Sequence, residues 1–210
     1  ADAPAGLWQM NAFNGQVAPG AVGATLYFAW SGLNPAQNVY TWGSLDAQIE
    51  MHAQAGRPVS LLVTVSRSGW YGSELYIDDS PAWIGATRRI PMAGKTIRLP
   101  AYDDSRWQVA LQVFIGALGR RYDGDARIDH VNISLGLDGE SQAYQSAYET
   151  YVVAALGSGY RATFERYALA SLDWYNAAFA KTPLYAACNP GGQGLRKALM
   201  RRMVTLGIGY

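Results

Sequence analysis

The chain is poor in the residues that build metal centres and covalent cross-links. It has one cysteine, Cys188, and two histidines, His52 and His130, among 210 residues. A lone cysteine excludes an intrachain disulfide and a cysteine-rich metal site, and so few histidines argue against a histidine-rich centre. No metal and no cofactor are therefore expected. Seventeen basic residues face sixteen acidic ones, a net charge of +1. That balance gives no support for a nucleic-acid partner. No apolar run approaches the ~20 residues of a membrane span. No G-x-G-x-x-G follows the first strand, so a dinucleotide-binding fold has no motif behind it.

Half the residues are hydrophobic, enough for a sizeable core, and no short internal repeat or low-complexity segment is present. Tyrosine and tryptophan are abundant, with 14 and 7 copies. Rings of this kind pack cores, and those left over suit the faces of sugars. The opening ADAPAG fits what remains after signal cleavage at a small-residue site, or simply the start of a recombinant chain. A secreted or periplasmic location is the expectation, a cytoplasmic one the alternative.

ATLYFAW, residues 24 to 30, is a continuous apolar run, as a strand buried on both faces should be. Ser44 then fits an N-cap, Leu45, Ile49 and Ala53 fall at helical spacing, and Gly56 stops the helix. PVSLLVTV, 58 to 65, is the next buried strand. Strand, helix, strand is the rhythm of a parallel sheet. Residues 66 to 104 read as one long loop, rich in Gly, Ser, Pro, Tyr and Trp. Asp104 or Ser105 caps a helix carrying Trp107, Leu111, Phe114 and Leu118. A strand follows at 128 to 135, then irregular chain from 141 to 160. A helix runs through Phe164 to Phe179, PLYAACN makes a strand at 183 to 189, and a last helix precedes GIGY. One domain over residues 1–210, built from β/α units, accounts for this pattern. Either a (β/α)₈ barrel or an open doubly wound sheet would satisfy it. In both, function sits at the carboxyl ends of the strands, and the long loops here follow those ends.

The segment IDHVNISLGLDGE, ending at Glu140, delivers two carboxylates, Asp138 and Glu140, at the tip of an apolar strand. Charges there are costly unless something uses or solvates them. Two phrases carry a family resemblance. FAWSGLNPAQNVYTWGSLDAQIEMHAQAGRPVSLLVTV and LPAYDDSRWQVALQVFIGALGRRYDGDARIDHVNISLGLDGE resemble glycoside hydrolase clan A barrels, in particular β-galactosidase-like and related bacterial ones. Together they cover roughly residues 24 to 140; beyond that the match is one of rhythm. The resemblance implies a TIM (β/α)₈-type barrel of which this chain holds roughly strands one to six. Strand one would lie near residues 7 to 13, and GIGY would begin strand six. The remainder would be missing or supplied by another chain.

By the same resemblance Glu140 is the general acid/base of a retaining hydrolase of β-linked glycosides. Its nucleophile, normally at the end of strand seven, is not in this chain. The residue before the acid/base is usually Asn and here is Gly139. Candidates for substrate binding are Trp30, Arg67, Trp83 (in a family-like Pro-Ala-Trp), Asp138 and Asn189. Trp30 fits packing as well as sugar stacking, and Asp138 fits orienting Glu140 or ending the strand. Asp78 and Asp79 read as turn formers, and His130, near the start of its strand, as structural. The expected partner is a carbohydrate, with a second chain or a missing C-terminal segment closing the barrel. The alternative is a non-catalytic carbohydrate-binding or structural protein on the same scaffold.

Overall fold

The computed structural model describes residues 7–10, 17–69, 74–188 and 193–210. In chain order the strands begin with β1 (Leu7–Met10), β2 (Ala21–Ala29), β3 (Val59–Thr64), β4 (Ser66–Ser68) and β5 (Glu74–Asp78). They continue with β6 (Thr87–Met92), β7 (Lys95–Pro100), β8 (Ile128–Asn132) and β9 (Leu184–Tyr185). The helices are α1 (Trp30–Leu33), α2 (Gly43–Gln54), α3 (Ser105–Tyr122), α4 (Glu149–Leu156), α5 (Gly159–Ala178) and α6 (Gln193–Leu206).

The main sheet has the order β1-β2-β3-β8-β9, and every neighbouring pair is parallel. A sixth strand starts at Gly209, which bridges Tyr185 in parallel. Its amide donates to the Leu184 carbonyl at 2.8 Å, and its carbonyl accepts from the Ala186 amide at 3.1 Å. Spatial order equals chain order, as in a barrel and unlike a doubly wound sheet.

Side chains show the curvature directly. In a flat sheet β1 and β8 would lie roughly 14 Å apart, three strand spacings. Yet the Trp8 ring of β1 meets the His130 ring of β8 edge-on, with centroids 4.9 Å apart. His130 in turn meets Tyr185 of β9 at 4.8 Å. The rings converge because the sheet curls toward them. Gly23 of β2 lies beneath Trp8: a Cβ there would sit 2.4 Å from the indole ring.

Alternation then sorts each strand. Leu26, Leu61, Val63, Val131 and Ile133 join the helix-side core with Ile49, Trp107, Phe114 and Leu172. Thr25, Ser60 and Asn132 face the concave side, where the Thr25 and Ser60 hydroxyls lie 2.8 Å apart and Asn132 Nδ2 donates to Ser60 Oγ at 3.3 Å. The concave side is thus largely polar and aromatic, with Leu62 among its residues, and the helix side is aliphatic and aromatic.

Three expectations change. Residues 66 to 104 are not a plain loop: β4, β5, β7 and β6 form a second sheet in that order. Its buried Tyr76, Ile90, Ile97 and Leu99 join the same core, which is what a short sheet needs to be stable. Within 141 to 160 the chain forms a short 3₁₀ turn and α4. Helix α2 begins at Gly43, one residue before Ser44, and its N-cap Trp42 makes no side-chain cap. Trp42 is held there by stacking on Tyr40 and Phe114. Asp104 does cap α3, accepting the Arg106 amide at 2.8 Å.

Candidate functional site

Glu140 emerges from a tight turn at the carboxyl end of β8. Its amide donates to the Leu137 carbonyl at 2.9 Å, and Gly139, at φ 86°, passes over Leu62 of β3. The side chain is half-buried, and Gln142 Nε2 donates to its Oε2 at 2.7 Å. It lines a cavity of about 430 Å³ with His130, Asn132, Tyr185, Ala187, Cys188 and Tyr210 among its walls. That volume is in the range of a small-molecule cleft. Every wall except the Glu140 turn comes from β8, from β9 and the chain just after it, or from the start of the sixth strand.

Beside this cavity, at the ends of β2 and β3, stands a charged cluster. Asp79 is 2% exposed and accepts Thr64 Oγ1 at 2.8 Å and Arg67 Nε at 2.9 Å. Burial pushes its carboxyl above the usual value, and the Arg67 and Thr64 hydrogen bonds oppose that push. Arg67, whose side chain is 43% exposed, is held charged chiefly by its hydrogen bond to Asp79. Tyr27 completes the cluster. Its phenol is pushed up to about 12 by burial first, with smaller contributions from the Asp138 and Asp79 charges, against a hydrogen bond with Thr64.

Asp138 adjoins both groups. Its Oδ1 accepts the Ser68 amide at 2.8 Å and its Oδ2 accepts the Ser68 hydroxyl at 2.5 Å. Each carboxylate oxygen thus has a partner within the protein, which fixes the side chain beside the Glu140 turn.

Trp30 requires a correction. It does not end a strand on the cleft but opens α1, and it is 0% exposed. Its indole N–H donates to Asn34 Oδ1 at 3.2 Å, and its ring packs edge-on against Trp107. A ring enclosed on all sides offers no face to a sugar. Trp83 is half-buried but lies elsewhere. Its N–H donates to the Asn34 carbonyl at 3.1 Å, and it lines a separate groove of about 410 Å³ beside Tyr40 and the outer face of α3. Asn189 lies outside the described residues.

The sequence reading took His130 as structural and Asp79 as a turn former, and did not single out Asn132, Thr64 or Tyr27. For His130, Asn132, Tyr27 and Thr64 a signal was present: alternation alone sets His130 and Asn132 against Val131 and Ile133, and Tyr27 and Thr64 against Leu26 and Val63. Asp78 behaves as a turn former, accepting the Ser80 amide at 2.9 Å. Nothing in the local sequence separates Asp79 from it. Among the described residues no group of three or more His, Cys, Asp or Glu side chains is placed to hold a metal ion. Nor is any helix among them long and apolar enough to cross a membrane.

Neither a protein-family model nor a curated protein matches the sequence. Solved structures do match in fold. Xylanase B from Clostridium stercorarium F9 aligns with a TM-score of 0.55 at 12% identity, over 97% of this chain and 59% of its own. A thermostable mutant of a xylanase from Cellvibrio japonicus gives 0.55 at 13% identity, over 99% of this chain and 58% of its own. Xylanase 10B from Thermotoga petrophila RKU-1, in complex with xylobiose, gives 0.51 at 12% identity, over 97% and 56%. The chain thus spans under three fifths of the length of the barrels it matches. At this identity the likeness concerns fold, and the fold is that of part of a TIM barrel.

Proposed function

We propose that the chain is the acid/base-bearing part of a retaining glycoside hydrolase acting on β-linked glycans. The observation that carries this reading is the place of Glu140. It follows the fourth strand of a parallel half-barrel, at the carboxyl end, in a cavity walled by the imidazole, amide and phenol of His130, Asn132 and Tyr185. Active sites of such barrels are built at that end.

In the first step Glu140 gives its proton to the glycosidic oxygen as the anomeric carbon–oxygen bond breaks, and a second carboxylate bonds to that carbon. In the second step Glu140, now ionised, takes a proton from water as the water displaces the carboxylate. The second carboxylate must stand about 5 Å away. We assign it to the portion of barrel beyond the length spanned here. Arg67, fixed by Asp79 at the end of β3 and outside the walls of the Glu140 cavity, is the candidate hydrogen-bond donor to sugar hydroxyls of a longer glycan. Because the three matched structures are xylanases, xylan and aryl β-xylobiosides head the substrate panel.

The test is Glu140→Gln in the intact protein. Turnover of xylan and of aryl glycosides with poor leaving groups should fall by about 10²–10⁴, the usual share of general acid–base catalysis. Dinitrophenyl glycosides, which need little protonation to depart, should lose far less in the step that cleaves them. Unchanged turnover of the poor leaving groups would remove Glu140 from the role.

One observation favours a second reading, a glycan-binding barrel without catalysis. Gly139 stands where the resembled family has Asn, so the amide that would contact the sugar is missing. Under that reading the wild-type protein binds the oligosaccharides of the panel and turns none of them over.

A further inference from the structure

We propose that Asp138 is a positioning residue, and that the Ser68–Tyr76 rung of the inserted sheet sets the direction in which Glu140 enters the cavity. The inference rests on the acid/base reading of Glu140.

Asp138 adopts φ 55°, a left-handed conformation that residues other than glycine rarely take. Three hydrogen bonds hold it there, all from one short strand. Its amide donates to the Ser66 carbonyl at 2.9 Å, and its carboxylate takes both the amide (2.8 Å) and the hydroxyl (2.5 Å) of Ser68. Ser66 also bridges Leu137 in parallel, so β4 prolongs the β3–β8 pairing into the turn.

The same sheet grips the chain again beyond Glu140. The Gln145 amide donates to the Tyr76 hydroxyl at 3.0 Å. Ser68 and Tyr76 are direct partners across the β4–β5 ladder. One rung of the insert therefore holds residues 138 and 145, and Glu140 lies between the two grips. Rotating the Asp138 peptide, or releasing its carboxylate, would swing Glu140, which is only two residues on. Displacement of a catalytic group by about 1 Å is enough to cost about 100-fold in rate.

Asp138→Gly tolerates the left-handed backbone and removes both carboxylate bonds to Ser68, whereas an Asn could keep them, because the Ser68 hydroxyl can turn to accept from its NH₂. Ser68→Ala removes one of the two carboxylate bonds, and Ser68→Thr keeps it. For substrates with poor leaving groups, Asp138→Gly and Ser68→Ala should each lower kcat/KM by about 10–100-fold, and Ser68→Thr should restore it. Dinitrophenyl glycosides should be nearly unaffected. In double-mutant cycles with Glu140→Gln the losses should not add, because all act through one group. Equal losses on both substrate types, additive losses, or no loss would each overturn the proposal. Circular dichroism melts confirm that each variant is folded. Should either fail, Tyr76→Phe, which removes only the Gln145 contact, replaces it in the cycle. Glu140→Gln alone reports on the acid/base reading: if it has no effect, both ideas fall. If it abolishes turnover while Asp138→Gly and Ser68→Ala do not matter, only the positioning role falls.

Discussion

At Gly136 a Cβ would sit 2.2 Å from the Gln142 carbonyl oxygen and 3.0 Å from the Phe164 ring. That carbonyl is itself fixed, accepting the Leu137 amide at 2.8 Å, so the backbone has nowhere to retreat. At Gly139 the constraint is of another kind. Its φ is 86°, and its nearest neighbour would be a methyl of Leu62 at 3.0 Å, the movable end of a side chain. Gly136→Ala should therefore be the more damaging change, with a loss of about 2–4 kcal/mol by urea denaturation. Gly139→Ala should cost about 1–2 kcal/mol, the usual penalty for a left-handed alanine. A Gly136→Ala protein as stable as the wild type would contradict the close approach. From the sequence Glu140 stands out as a carboxylate at the tip of an apolar strand. That the two glycines serve different ends, and that Asp138 rather than Gly136 takes a left-handed conformation, depends on Ser68, seventy residues earlier in the chain. A partner that distant leaves no trace in the motif.

Helices and strands are tied at the amino-terminal side of the sheet by Asp123, the C-cap of α3. Its carboxylate accepts the amides of Ala180, Lys181 and Thr182 at 3.1, 2.9 and 2.9 Å, and so binds the α3–β8 turn to the α5–β9 turn. Burial pushes this carboxyl up, but the three amide hydrogen bonds prevail and hold it below the usual carboxylate value. The folded state therefore binds fewer protons than the unfolded one as pH drops below the unfolded value of 3.8. The stabilisation is complete above that value and is lost as pH falls through the folded one. Asp123→Asn should cost about 1.5–3 kcal/mol at pH 7, the range for hydrogen bonds to a charged group. Denaturation at pH 7 and again near pH 3 should show the gap to wild type shrinking in acid. A gap of equal size at both pH values would rule out the carboxylate as its source. The barrel strands were legible because burial on two faces writes a continuous apolar run, as in Val59–Thr64. The inserted sheet was not. Its strands have three to six residues and alternate a few buried side chains with Arg88, Arg89 and Lys95, a pattern that an ordered loop shares.

Over the whole molecule the decisive property is that the sheet curls but does not close. Among the described residues β1 pairs only with β2, and Gly209 pairs only with Tyr185 and its neighbours. Among the described residues each end thus has an edge without a strand partner, a template for another strand. The matched xylanases extend well beyond the share aligned with this chain, 56–59% of their length. Strands equivalent to the rest of those barrels would lie along these edges and cover the polar concave face. A polypeptide of these 210 residues alone should therefore associate through the open edges, and its sedimentation coefficient should rise with concentration. Met10 sits on β1 and is 51% exposed. Met10→Lys places on that edge the kind of charge that natural edge strands use against pairing. It should shift the sedimentation profile toward the monomer while leaving the circular dichroism melt nearly unchanged. A wild-type polypeptide that stays monomeric at every concentration would mean that these edges are blunted within the chain itself, and the case for an outside closure of the barrel would lose its physical basis.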